Sequence, residues 1–148
     1  MNNVGVGVGV IVLNNEGKVL LILRNSDREK ADSDMRLEGT YTLPSGKVLY
    51  NEKLKNAGKR KLKDEVFLDV SVNDLDIISI SNDINEYAHY VTIGMIANKY
   101  SGEVKLKKDE FVSYDWFDLD NLPINLCEPS KKIINNYLEK KIYSDEER

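Results

Sequence analysis

The sequence lacks the paired cysteines whose disulfides stabilise small secreted proteins, and it has no long apolar run. Its 148 residues include one cysteine and three prolines. Since one cysteine cannot form an internal disulfide, Cys127 is typical of a reducing cytoplasm, and without a neighbouring histidine it is expected to be an inert thiol. The longest apolar stretch, residues 4–13, is interrupted by glycines and is far shorter than the roughly 20 residues of a membrane span. We therefore expect a cytoplasmic protein with no membrane partner.

An excess of basic residues is also missing. Lysine and arginine total 21 against 25 aspartates and glutamates, a formal net charge of −4. Binding of duplex nucleic acid relies on a basic surface, so this balance argues against a duplex partner. Six basic residues do lie between Lys53 and Lys63 with no acid among them, but one helix face is more typical of a solvated surface than of an RNA site. An acidic protein can still bind polyphosphates when a metal ion bridges the two.

The chain is interpreted as one domain over residues 1–148, because its length is typical of a single domain and no linker or repeat divides it. Alternating apolar residues predict strands, and apolar residues at every third or fourth position predict helices. A polar stretch at 25–38 predicts an exposed loop. The order β-β-β-α-β-β-β-α indicates an α/β (α+β) fold with a mixed sheet and helices packed on it. The predicted strands are 4–13, 18–24, 41–44, 70–81, 86–100 and 111–117, and the predicted helices are 53–66 and 129–142.

One stretch has a spacing that indicates chemistry. Gly46 is followed after five residues by Glu52 and after seven more by Arg60, with Asp64 and Glu65 four and five positions further on. A glycine turn exposes backbone carbonyls, and a helix places carboxylates along one edge. Hard oxygen ligands of this kind suit Mg²⁺ or Mn²⁺ carrying a diphosphate. Arg60 is placed to pair with Glu52, and because Glu65 borders the apolar stripe of the helix, a metal or Arg60 is expected beside it.

This spacing resembles the Nudix box, whose pattern is G-x5-E-x7-R-E-U-x-E-E-x-G-U with U a bulky aliphatic residue. The resemblance extends to Leu43-Pro44 before the box, to the valine–glycine alternation at 4–8, to residues 89–93 and to residues 116–123. On these blocks the chain is identified as a member of the Nudix hydrolase superfamily, similar to its MutT-like nucleoside-triphosphate diphosphatase branch. The resemblance covers roughly residues 4 to 125.

The resemblance implies a Nudix-type α/β/α sandwich and metal-dependent hydrolysis of a phosphoanhydride bond. The expected substrate is a small-molecule nucleotide, either a nucleoside triphosphate or another nucleoside diphosphate linked to a moiety X, and the expected cofactor is Mg²⁺ or Mn²⁺. Members often dimerise, which leaves a homodimer open. The implied catalytic set is Glu65, Asp64, Arg60 and Glu52, and the implied metal ligands are Glu65, Asp64, Glu52, the backbone of Ser45 or Gly46 and, from a loose match, Glu110.

The chain departs from the family pattern at two positions. Phe67 stands where the family has glycine, and Lys61 stands where it has a glutamate that binds metal or acts as base. A protonated ammonium can do neither, and it could instead pair with Glu65. The alternative is therefore a catalytically weakened or inactive Nudix-fold module that binds nucleotide or RNA. Lys61 and His89 are the candidates for substrate contact, although the lone histidine could also be structural.

Overall fold

The structure of the chain is a computed structural model that describes residues 2–31 and 33–144. The element order agrees with the sequence prediction, with one additional short strand and one 3₁₀ turn. Among the described residues, no helix is long and apolar enough to cross a membrane. The elements are β1 (Val4–Ile11), β2 (Val19–Arg24), β3 (Tyr41–Thr42), β4 (Ser45–Lys47), α1 (Leu54–Val66), the 3₁₀ turn (Val72–Asp74), β5 (Leu75–Ile84), β6 (His89–Ala97), β7 (Phe111–Phe117) and α2 (Glu128–Glu139).

Three predicted boundaries are wrong, each for a local reason. The strand expected from residue 70 begins at Leu75, because the Ser71 hydroxyl accepts a hydrogen bond from the Asn73 N–H and starts the 3₁₀ turn. The strand expected over 86–100 is limited to β6. A turn precedes it, and after it the Asn98 N–H donates to the Asp74 carbonyl outside the paired strands. The second helix ends before residue 142 because Lys140 adopts a left-handed conformation.

The strands form two sheets, and the larger one has the mixed pairing that the sequence predicts. The larger sheet has the order β4-β1-β6-β5, with β1 parallel to β6 and antiparallel to β4. The smaller sheet has the order β3-β2-β7 and is antiparallel. Because β4 pairs with β1, the start of the box is fixed at a sheet edge beside α1. This pairing positions the site.

The two helices pack on opposite faces of the larger sheet. Val8 and Val10 of β1 join Leu62 in a core beneath α1, whereas Ile11 joins Ile133 in a core beneath α2. On the α2 side, Gly9 leaves room for the helix, because a Cβ there would lie 2.8 Å from the Ile133 side chain. The prediction of an α/β/α sandwich is confirmed.

The C-terminal end of α1 carries the departure at Phe67. Its φ is 65°, so a phenylalanine occupies the left-handed conformation that glycine adopts without strain. The Phe67 N–H donates to the Lys63 carbonyl and the Leu68 N–H donates to the Leu62 carbonyl, which closes the last turn. The helix therefore ends in the conformation that the family's glycine would favour.

The segment 25–38 is only partly the exposed loop that its polar composition predicts. Ala31 and Met35 are buried, because the segment folds back against the body of the protein. The Asp34 carboxylate accepts hydrogen bonds from Lys47 Nζ and from the Tyr90 hydroxyl, which tie the segment to β4 and β6. Met35 and Leu37 thus become part of a pocket wall.

Candidate active site

A pocket of about 330 Å³ opens where β1, β4 and α1 meet the folded-back segment. It contains most of the residues that the sequence singled out. Ser45, Gly46, Arg60, Lys61, Glu65 and Glu110 line it, whereas Glu52, Asp64 and His89 are not among its described lining residues. Among the described residues, its charged side chains are four basic and three acidic ones: Arg24, Lys47, Arg60 and Lys61, and Asp34, Glu65 and Glu110. The lining is therefore more basic than acidic, although the chain as a whole is acidic.

Glu65 is the buried carboxylate of this pocket, with a relative exposure of 1%. Its Oε1 accepts a hydrogen bond of 2.8 Å from the Ser45 N–H, and its Oε2 lies 3.4 Å from Lys61 Nζ. Burial raises the pKa of Glu65 to about 7, while the Lys61 charge and the Ser45 hydrogen bond oppose that rise. The partner beside Glu65 is thus Lys61, not Arg60.

Lys61 reaches Glu65 by crossing the face of Gly46. A Cβ on Gly46 would lie 2.2 Å from Lys61 Cε and 2.9 Å from its Nζ, so the missing side chain leaves the space that the lysine stem fills. The Lys61 side chain is 15% exposed. Its ammonium therefore lies against Gly46 of strand β4, where the sequence predicted a turn and a metal ligand from the backbone.

Glu52 and Arg60 form a separate ion pair at the start of the box. Arg60 Nε donates to Glu52 Oε2 at 2.7 Å, and Arg60 Nη2 donates to Glu52 Oε1 and to the Lys47 carbonyl. Glu52 also accepts from the Leu49 N–H. The Arg60 guanidinium lowers the pKa of Glu52 to about 2. Asp64, half exposed, lies 3.8 Å from Arg60 Nη1, so both acids face the arginine.

Glu110 immediately precedes β7 and pairs with two bases. Its carboxylate lies 3.2 Å from Lys107 Nζ and 3.9 Å from Arg24 Nη1. Arg24 is 7% exposed, packs over the Phe111 ring, and has an Nε without a hydrogen-bond partner among the described residues. The sequence did not single out Arg24, because nothing in an apolar strand marks its last residue as a pocket residue.

His89 lies in a neighbouring cavity of about 690 Å³ rather than in the Glu65 pocket. Its Nε2 is buried and has no hydrogen-bond partner within the described part of the chain. Arg36 lies over the Tyr87 ring in the same cavity, 4.7 Å from its centroid. Asp34 and Tyr90 line both cavities, so the two spaces adjoin.

The carboxylates of the box do not fit the metal centre that the spacing predicted. Glu52 and Asp64 face Arg60, Glu65 faces Lys61, and Glu110 faces Arg24 and Lys107. No three or more aspartate, glutamate, histidine or cysteine side chains of residues 2–31 and 33–144 converge as metal ligands. Ser45 presents its N–H, not its carbonyl, to Glu65. The acids of the box are therefore engaged by basic side chains and not arranged around a common metal position.

Comparisons with known proteins agree with this fold and identify the family. The NUDIX domain profile matches residues 4–137, and the chain belongs to that family. A protein of Methanocaldococcus jannaschii named ADP-ribose pyrophosphatase is 31% identical over 127 residues, covering 86% of this chain and 69% of that protein. The NAD-capped RNA hydrolase NudC of Pseudomonas aeruginosa is 29% identical over 105 residues, covering 71% of this chain but only 36% of NudC.

The solved structures show the same architecture. The crystal structure of a MutT NUDIX hydrolase from Burkholderia pseudomallei matches with a TM-score of 0.78 and 25% identity. The match covers 91% of this chain and 98% of that one. The site described above is thus placed on a MutT-like Nudix fold.

Proposed function

We propose that the chain binds a nucleoside diphosphate linked to a further group X and hydrolyses its phosphoanhydride bond. The main support for the proposal is the buried Glu65 carboxylate in a pocket whose charged lining includes four basic side chains and three acidic ones. Lysine and arginine are the side chains that bind phosphate oxygens, so such a lining suits a diphosphate. Family membership and the similarity to a protein named ADP-ribose pyrophosphatase support this substrate class.

In the proposed reaction Glu65 is the base. The oxygen of a water molecule bonds to phosphorus, its proton goes to Glu65, and the bond from phosphorus to the bridging oxygen breaks with its electron pair on the leaving phosphate. Lys61 and Arg24 lie where they would stabilise the added negative charge. A carboxylate with a pKa of about 7 is both ionised and basic enough to serve near neutral pH.

The adjoining cavity provides space for the nucleoside or for X. It opens from the Glu65 pocket at Asp34 and Tyr90, so a bound diphosphate would direct one of its two substituents into it. The buried His89 Nε2 and the Arg36–Tyr87 stack offer a hydrogen-bonding group and a flat surface there. We place His89 among the residues that contact this part of the substrate.

The proposal is tested by incubating the protein with ADP-ribose, dinucleotides, nucleotide sugars and nucleoside triphosphates, in Mg²⁺, in Mn²⁺ and in EDTA. Chromatography of the products is expected to show a nucleoside monophosphate and phosphorylated X. The variant Glu65→Gln should lower the rate by about 10²–10⁴-fold, as the loss of a general base does. Exposed Glu103→Gln is the matched control. Orthophosphate release from monoesters, or equal rates in the two variants, would contradict the proposal.

The second candidate function is nucleotide binding without hydrolysis. It is favoured by Lys61, which stands at the family's glutamate position and contacts Glu65. Restoring the carboxylate with Lys61→Glu separates the two candidates. A nucleotide that is bound but uncleaved by both the parent and this variant across the panel would support the binding module, whereas a cleaved nucleotide supports the enzyme.

A further inference from the structure

The position beside Glu65 is already occupied by a cation that belongs to the chain. Lys61 Nζ lies 3.4 Å from Glu65 Oε2, and both side chains line the pocket. Since Glu65 has 1% exposure, its ionised form needs a nearby positive charge, and the lysine provides one. A divalent ion at the same place would be repelled by the ammonium.

The local backbone leaves room for the lysine in this position. Its stem crosses Gly46, where a Cβ would lie 2.2 Å from Cε, and β4 pairs that glycine with Val8 of β1. Both Lys61 and Glu65 are on α1, one turn apart, so the helix brings their side chains to the same face. The Lys61 side chain is 15% exposed, and its ammonium is part of the pocket wall.

The remaining carboxylates do not complete a metal site around Glu65. Arg60 binds both oxygens of Glu52, and Glu110 lies between Lys107 and Arg24. A Mg²⁺ ion requires near-octahedral oxygen ligands, and these acids offer theirs to basic side chains instead. The charged lining of the pocket, four basic against three acidic side chains among the described residues, has a small excess of positive charge without an added cation.

We propose that the Lys61 ammonium takes the place of a divalent cation, so that the pocket binds a diphosphate directly and without metal. An ammonium has three donors, and the contact with Glu65 leaves others for phosphate oxygens. Arg24, whose Nε has no hydrogen-bond partner among the described residues, adds a further positive charge in the same lining. The inference rests on the proposed function for its ligand class, a diphosphate. A measurement of Mn²⁺ binding does not depend on which nucleotide is bound.

The first test measures Mn²⁺ alone, by the electron paramagnetic resonance signal of the free ion. The parent protein should leave that signal unchanged, whereas Lys61→Glu should reduce it and bind Mn²⁺ at least about tenfold more tightly than a control variant with the same charge change, because it adds an anionic ligand beside Glu65 and removes a repelling charge. Exposed Lys63→Glu on the same helix is the matched control for the change in charge. Tight Mn²⁺ binding by the parent, or equal binding by the two variants, would overturn the inference.

The second test measures ADP-ribose binding by calorimetry in Mg²⁺ and in EDTA. The parent should bind equally in both buffers, and Lys61→Gln should weaken binding by about 10–100-fold, as the loss of a charge-assisted hydrogen bond does. Lys61→Arg keeps the charge and should retain most of the affinity. Circular dichroism verifies that each variant folds. Binding that EDTA abolishes, or no binding in either buffer, would overturn the inference, while binding without cleavage contradicts only the proposed hydrolysis.

Discussion

Two ion pairs join a glutamate of the box to a basic residue of helix α1, and their environments differ. The Glu52–Arg60 pair is partly exposed, has two parallel hydrogen bonds, and lowers the pKa of its carboxyl to about 2. The Glu65–Lys61 pair is buried on the carboxylate side, has one contact of 3.4 Å, and its carboxyl has a pKa raised to about 7. The Glu52–Arg60 pair stabilises the start of the box. In the Glu65–Lys61 pair the ammonium keeps donors for a ligand, and the carboxylate can act as a base near neutral pH.

The largest expected difference between the pairs is in stability. Arg60→Ala removes three hydrogen bonds that join α1 to Glu52 and to the Lys47 carbonyl, and should lower the free energy of unfolding by about 1.5–3 kcal/mol. Lys61→Met should lower it by less than about 1 kcal/mol, because Glu65 can take up a proton and methionine keeps much of the volume. Urea denaturation below pH 7 measures both. A larger loss in Lys61→Met would contradict the comparison.

The pH dependence of stability should have opposite signs for the two glutamates. Since folding raises the pKa of Glu65 from 4.5 to about 7, its folded form holds the proton longer, and this residue makes stability fall as the pH rises through that window. The slope is at most about 1.4 kcal/mol per pH unit. Glu52, with a pKa lowered to about 2, contributes stability that is complete above pH 4.5 and is lost as the pH falls toward 2.

The variants Glu65→Gln and Glu52→Gln separate these contributions. In denaturation curves recorded across pH, Glu65→Gln should flatten the decline between pH 4.5 and 7 and leave the acid limb unchanged. Glu52→Gln should reduce the loss between pH 4.5 and 2 and leave the neutral limb unchanged. Identical profiles for the two variants would show that the two environments are not different.

The smallest expected effect is at Phe67, the other departure from the family pattern. Its left-handed φ of 65° is unfavourable for a residue with a Cβ, and its side chain is 44% exposed, so its removal relieves the strain and loses only the packing of the covered part. Phe67→Gly should raise the free energy of unfolding by about 1 kcal/mol or less, with nucleotide affinity unchanged. Thermal unfolding and calorimetry check this, and destabilisation would contradict it. An unchanged affinity would show that the departure at Phe67 concerns the backbone alone, unlike the departure at Lys61.

Most of the fold could be predicted from the sequence, because periodicity is a local property. The alternation at 4–11 and the apolar stripe of α1 place β1 and the helix within a residue or two. β4 was missed because its pairing with β1 is a tertiary contact, which the short sequence Ser-Gly-Lys does not predict. The 3₁₀ turn was missed because the Ser71 cap competes with the strand pattern.

The site was predicted less completely than the fold. The spacing of the box identified Glu52, Arg60 and Glu65, and the expected pairing of Arg60 with Glu52 is confirmed. Residues that enter the pocket from elsewhere, such as Arg24 and Asp34, could not be found, since only the folded chain brings them to α1. The roles of the catalytic and metal-binding candidates stay predictions.

The central claim is that Lys61, not a divalent ion, provides the positive charge beside Glu65. It is tested most directly by a crystal structure of the parent protein grown with ADP-ribose and Mn²⁺, with anomalous diffraction recorded to locate manganese. The account predicts Lys61 Nζ within hydrogen-bond distance of a phosphate oxygen, and no anomalous peak at Glu65. A manganese ion bound to the Glu65 carboxylate, with Lys61 turned away from the pocket, would contradict it.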